Sequence, residues 1–234
     1  MAEEKMEALV QKLKTLLKNG TVAMTTDMWT EDYRKISYLT ITCHFISEDM
    51  ELVNKTLTTT MFPLEEAKTG ENIRRGILKL LVTKFGLDAS SLGKIVWVSD
   101  EGANIKLALR PYQRLDCIDH VINTVLRHGL DITELSKANG APDIGDTISA
   151  AKSLVRPFIM SSMKSWRHEG RARIEKIAPD TLGFLIDFLK PFYEAQRELE
   201  GDKYPTLNRV CLWCEKLKRH WQPNALDSSA SCRP

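Results

Sequence analysis

Two acids stand in stretches that otherwise read as strands. Asp27 lies in Val22–Thr30 (VAMTTDMWT), and Asp100 follows directly on Lys94–Ser99 (KIVWVS). A carboxylate in such an apolar run costs free energy unless something nearby stabilises its charge. If the two runs are neighbours in one sheet, both carboxylates emerge at the same edge. Two acids that close repel, and one takes up a proton unless a cation sits between them. Carboxylate oxygens suit magnesium or manganese. A pair of such ions about 3.5–4 Å apart can activate an attacking oxygen and stabilise a leaving one in phosphodiester chemistry. A plainer reading stays open: Asp27 caps a turn before Trp29-Thr30-Glu31-Asp32, and Asp100 caps the helix after it.

Other groups carry weaker signals. Cys117 and His120 could pair as thiol and imidazole, but no oxyanion-hole signature accompanies them, and His120 reads first as a satisfied structural side chain, then as a local cap or DNA contact. Cys211-x-x-Cys214 with His220 offers three of the four ligands that a structural zinc site needs, so the reading is against zinc. Trp166 is flanked by Lys164, Arg167, His168, Arg171 and Arg173. That grouping suits a stacked base with phosphates held nearby, or a helix-packing tryptophan with solvated basic neighbours. Gly102 alone makes no phosphate loop.

The elements that must position these groups follow from periodicity. Met6, Leu9, Val10, Leu13, Leu16 and Leu17 have helical spacing, with Asn19-Gly20 as the stop. Three strands are predicted at Thr21–Trp29, Ile36–Ile46 and Glu51–Phe62. The middle one alternates with period two, and the polar Ser47-Glu48-Asp49 makes a hairpin with the third. A helix over Thr69–Lys84 ends at Gly86. Lys94–Ser99 reads as a central, doubly covered strand, Asn104–Leu109 as a short helix, Leu115–Ile118 as a fifth strand and His120–His128 as the start of a further helix. Beyond that the strand signal disappears, and Thr147–Met163, Asp180–Leu199 and Thr206–Trp221 read as helices. Trp29 and Trp97 are expected in the core. The order predicts an α/β mixed sheet flanked by helices, with helices alone after it.

Composition bounds the function classes. The chain has 234 residues, 43% hydrophobic and 27% charged, which is globular. Its apolar runs fall short of the roughly 18 residues that a membrane span needs. The N-terminal MAEEKMEALVQKLKTLL is acidic and amphipathic, unlike a secretory signal, so an intracellular, reducing setting is expected. Five cysteines suggest no disulfide framework. Residues 1–150 carry 18 Lys/Arg against 21 Asp/Glu and residues 151–234 carry 15 against 10, so a net −3 is followed by +5. The basic second part could meet nucleic acid, or be an ordinary solvated helical surface.

Three segments taken together, TTDMWTEDYRKISYLTITCHFI, VWVSDEGANIKLAL and LDCIDHVINTVL, resemble the Hermes-like hAT transposase superfamily, in that family's order. A later run, LIDFLKPFYEAQRELEGDKYPTLNRVCLWCEKLKRH, is similar to a helical stretch of such transposases. The resemblance implies an RNase H-like core with an all-helical insertion domain, and an Asp-Asp-Glu set for metal-dependent polynucleotidyl transfer. Its two aspartates fall on Asp27 and Asp100, which would be the metal ligands for magnesium or manganese. Its C-x-x-H falls on Cys117 and His120, beside the active site, where His120 would touch DNA or position a catalytic group; Trp166, Arg167 and Arg171 are candidate DNA contacts from the stacking and phosphate reading of their residue types alone. The resemblance further implies work on DNA in the nucleus, and partners that include DNA, further copies of the chain or related transposase-like proteins.

The family's catalytic glutamate follows the inserted helices. Glu194, Glu198, Glu200 and Glu215 all lie within the helical stretch itself. The Thr-Arg-Trp-Asn-like segment is echoed only loosely by Ser165-Trp166-Arg167, and no BED finger or dimerisation segment is seen. The expectation is therefore a helix at 1–20, an incomplete RNase H-like core at 21–146, a helical insertion-domain portion at 147–222 and a frayed tail at 223–234. That makes a truncated or domesticated transposase derivative, DNA-binding and inactive alone. The alternative is an active DDE-type enzyme with its third carboxylate supplied elsewhere, and a generic RNase H-like nuclease is a weaker third.

Overall fold

A computed structural model describes residues 2–137, 142–159, 174–175, 177–200 and 206–222. The chain divides into two compact units. One is Met1–Val121, and the other comprises Ile122–Glu200 with the residues from Thr206 onward.

The first unit opens with α1 (Ala2–Asn19), which ends where Gly20 takes φ +68°. The amide of Thr21 reaches the Leu16 carbonyl and that of Gly20 the Leu17 carbonyl, each at 3.1 Å, so the last carbonyls of α1 are satisfied by a left-handed glycine turn. Then come β1 (Ala23–Thr30), β2 (Ser37–Ile46) and β3 (Leu52–Met61). Next is α2 (Gly70–Lys79), capped by Thr69 and continued by a π turn over Leu80–Lys84. After it come β4 (Val96–Ser99), α3 (Ala103–Leu109) and β5 (Gln113–Asp116). The strands form one sheet in the order β3-β2-β1-β4-β5, with β1 antiparallel to β2 and parallel to β4.

The two faces of this sheet differ sharply. Met24, Leu39, Ile41, Cys43, Phe45 and Trp97 turn one way and form a core with Leu13 and Leu17 of α1, Ile73 and Ile77 of α2, and Ile105 and Leu109 of α3. The opposite face carries Thr25, Asp27, Thr40, Thr42, His44, Thr56 and Thr59, all exposed or half-buried. A bulge between Ile41 and Thr42 leaves Leu57 without a partner on β2 and buries both Leu57 and Thr58.

Several boundaries move from their expected positions. The predicted fourth strand begins at Lys94, but a 3₁₀ turn over Ala89–Lys94, capped by Asp88, delays it to Val96. Val96 and Val98 are half-buried, so only one side of β4 has the full cover expected of it. Trp29 was expected in the core. It is 46% exposed instead, and it stacks on Tyr38 across the strand pair with ring centroids 4.5 Å apart. Trp97, at 1% exposure, is in the core.

The second unit takes up α4 (Ile118–Gly129) from Ile122 onward, then α5 (Ile132–Lys137), α6 (Pro142–Ile159), α7 (Pro179–Leu199) and α8 (Leu207–Trp221). The helix α6 starts earlier than its apolar period suggests, at a proline suited to a first turn. Phe188 and Phe192 of α7 pack against His220 and Trp221 of α8, and His220 Nε2 donates to the Phe188 carbonyl at 2.8 Å. The imidazole of the Cys211-x-x-Cys214…His220 set thus sits in an aromatic cluster. Among the described residues, no group of three His, Cys, Asp or Glu side chains is arranged to hold a metal ion.

Candidate active site

The parallel pairing of β1 and β4 runs Ala23↔Val96, Met24↔Trp97, Thr25↔Val98. Continued by two positions, the same register brings Asp27 level with Asp100. Both residues then share the face of Thr25 and Val98, because side chains alternate along each strand. The pairing of β4 with β5 ends at Ser99↔Asp116, and the next residue, Cys117, donates its amide to the Ser99 carbonyl at 2.8 Å. On that continued register, β1 and the residues just past β4 and β5 would carry Asp27, Asp100 and Cys117 at one level of the sheet.

Each aspartate is held differently. Asp27 is exposed and pairs with Thr40 across the antiparallel ladder. Thr26, buried beside it, donates its hydroxyl to the Thr40 carbonyl at 3.0 Å and fixes that rung from the core side. The Asp27 carboxylate makes no hydrogen bond or ion pair among the described residues, so it caps no turn there. Asp100 accepts the Gly102 amide on Oδ1 at 3.2 Å. A Cβ on Gly102 would lie 3.2 Å from that same oxygen, so a glycine allows the close approach. The helix-cap reading of Asp100 is thus met in part, by an amide just ahead of α3 rather than inside it.

Polar groups extend across the same face. Thr40 and Thr59 hydroxyls lie 3.1 Å apart, and those of Thr42 and Thr56 3.3 Å. His44 bridges Thr25 and Asn54, with Nε2 3.1 Å from Thr25 Oγ1 and Nδ1 2.7 Å from Asn54 Oδ1. The amide oxygen only accepts, so Nδ1 donates to it, and in the neutral ring Nε2 accepts the Thr25 hydroxyl. Sequence reasoning missed this network, although the run of threonines in β3 was its signal.

The remaining candidates are scattered. His120 is exposed on the first turn of α4, and Cys117 is half-buried just before it. Trp166, Arg167 and Arg171 lie outside the described residues. Glu194 and Glu198 are on α7, Glu200 caps its end and Glu215 is on α8, all in the helical unit. Arg209 is ion-paired with Glu198 and holds its carboxyl below the usual range.

Comparison with known proteins bears on this arrangement. The family model described as the ZBED1 RNase-like domain matches residues 25–109, a span that contains both Asp27 and Asp100. The Hobo transposase of Drosophila melanogaster is 27% identical over an alignment of 258 positions, which takes in 98% of this chain. The chain is a hAT-type, transposase-derived protein. Its sheet and helices form an RNase H-like core. This hAT-type chain spans 39% of the length of the Hobo transposase.

The donor chemistry of the site fits a hard divalent cation. Asp27 presents a carboxylate with no protein partner among the described residues, and Asp100 presents one oxygen beyond that held by Gly102. Oxygen-only donors of this kind select magnesium or manganese over softer-ligand metals.

Proposed function

We propose that this chain is a DNA-binding protein derived from a hAT transposase, retaining a two-aspartate metal site that is inactive by itself. The observation that supports the reading is the parallel pairing of β1 with β4 up to Thr25↔Val98, whose register, continued by two positions, would bring Asp27 level with Asp100. In this reading Asp27 and Asp100 hold magnesium or manganese, which would supply charge stabilisation for phosphodiester chemistry when bound. Two carboxylates without a third hold the ion loosely, and loss of positioning costs orders of magnitude in rate. Cys117 and His120 would touch DNA beside the aspartates. Trp166, Arg167 and Arg171 would add stacking and phosphate contacts from the basic second part. The partners are DNA and further copies of this chain or related transposase-like proteins, and the location is nuclear.

The alternative is an active DDE-type transposase in which the third carboxylate comes from another chain or another segment. The same pair of aspartates favours it equally, so activity must decide. The isolated chain, incubated with labelled duplex DNA and manganese, should retain the DNA without cutting it, and retention should fall steeply as salt rises. Strand cleavage that Asp27→Asn removes would establish the alternative. Binding that is the same at low and high salt would sink the phosphate-contact reading.

A further inference from the structure

We propose that Arg114 is a positioning residue for Asp100. The inference rests on the two-aspartate reading, and it adds a group that acts from the opposite face of the sheet. Asp100 stands one residue past the end of β4, where the ladder to β5 has already stopped at Ser99↔Asp116. A residue at a strand end loses the pairing that fixes its neighbours, so its backbone must be held some other way.

Arg114 does this. Its position on β5 pairs with Trp97, so its side chain starts on the core side and is only 16% exposed. From there Nη1 donates to the Asp100 carbonyl at 3.3 Å and to Ser99 Oγ at 3.1 Å, while Nη2 donates to Asp116 Oδ1 at 2.6 Å. Ser99 Oγ also donates to the Asp100 carbonyl, at 3.0 Å. The peptide of Asp100 is thus gripped by two donors from below, and its carboxylate by the Gly102 amide from above. Only a flat, multi-donor cation spans three acceptors on two strands; a lysine supplies one point charge. The charge of Arg114 is balanced by Asp116, itself 4.0 Å from Lys106, which pairs with Glu101 at 3.3 Å. This band of charges wraps the end of β4 and, among the described residues, makes no ion pair with the Asp100 carboxylate. Orienting a ligand through its supports is how metal sites gain affinity beyond their direct donors.

The test uses the whole chain with Arg114→Met, Arg114→Lys and Asp116→Asn, and with Arg110→Met as an exposed control. Two measurements are made: the Hα–Hβ couplings of Asp100 and Asp27 by nuclear magnetic resonance without metal, and manganese affinity by paramagnetic resonance. Arg114→Met should collapse the Asp100 couplings to rotamer-averaged values and leave those of Asp27 unchanged, and it should weaken manganese about tenfold. Arg114→Lys should fall between Arg114→Met and the wild type, and Arg110→Met should match the wild type. A merely structural role would loosen Asp27 along with Asp100. If wild-type Asp100 already averages, or keeps one rotamer in both Arg114→Met and Asp116→Asn, the proposal is overturned. Should Arg114→Met fail to fold, Arg114→Lys and Asp116→Asn decide by the same couplings. A wild type that binds no manganese removes the metal reading, while the couplings still judge Arg114.

Discussion

Thr25 of β1 pairs with Val98 of β4 at the last rung of their parallel ladder, and that register, continued by two positions, would set Asp27 level with Asp100 on one face of the sheet. The first prediction follows from it. Manganese at about ten times its dissociation constant should stabilise the first unit by about 1.4 kcal/mol, a rise in melting temperature of roughly 3–6 °C. Asp27→Asn and Asp100→Asn should each remove most of that rise, and calorimetry with and without the ion measures it. A rise that survives both substitutions would place the ion somewhere else.

A second prediction concerns the junction of α2 and α3. A Cβ added at Gly70 would lie 2.6 Å from both Cβ and Cγ of Leu107, so α3 must shift to admit it. Overpacking of this kind costs about 1–3 kcal/mol, more than the roughly 0.4–1 kcal/mol that replacing a glycine gains through the unfolded state. Gly70→Ala should therefore lower the melting temperature by a few degrees. Adding Leu107→Ala should restore only part of the loss, because the clashing Cβ remains.

The third prediction is a pH dependence. Cys43 is fully buried in the core, and desolvation pushes its thiol up from 9.0 to about 11. The folded state keeps the proton where the unfolded chain releases it, so this contribution is whole below about pH 9 and is lost as pH rises toward 11. The slope in that window is at most about 1.4 kcal/mol per pH unit. Chemical denaturation at pH 8, 9 and 10 should show it, and Cys43→Ala should flatten the curve. Iodoacetamide should label exposed Cys211 well before Cys43.

Much of this fold was legible because alternation exposes one buried face of each strand. Leu39, Ile41, Cys43 and Phe45 mark β2 without ambiguity, and Gly20 marks the end of α1. What escaped was whatever depends on a partner rather than a period. The strand β5 reads Gln-Arg-Leu-Asp, too polar to announce itself, and it is a strand because it pairs with β4. Its placement was expected at Leu115–Ile118, which hid the role of Arg114 altogether. The bulge at Leu57 and the exposure of Trp29 likewise follow from pairing register and from which face of the sheet is covered. The two aspartates could be found because an acid in an apolar strand is conspicuous by type. The level they share is a property of register, which no single strand encodes.

The last prediction separates a DNA contact from a structural histidine. His120 sits exposed on the first turn of α4, one turn beyond Cys117, whose carbonyl accepts the amide of Val121 at 3.0 Å. Removing an exposed side chain that makes no hydrogen bond among the described residues changes stability by no more than about 0.5 kcal/mol. His120→Ala should therefore melt like the wild type, while its DNA affinity falls severalfold at low salt. The salt dependence of binding supplies the finer discrimination. A lost phosphate contact lowers the slope of log affinity against log salt by about 0.9, whereas a lost base or sugar contact weakens binding equally at every salt concentration. An unchanged affinity together with an unchanged melting temperature would strip His120 of any part in DNA binding, and the basic residues of the second unit would then carry it alone.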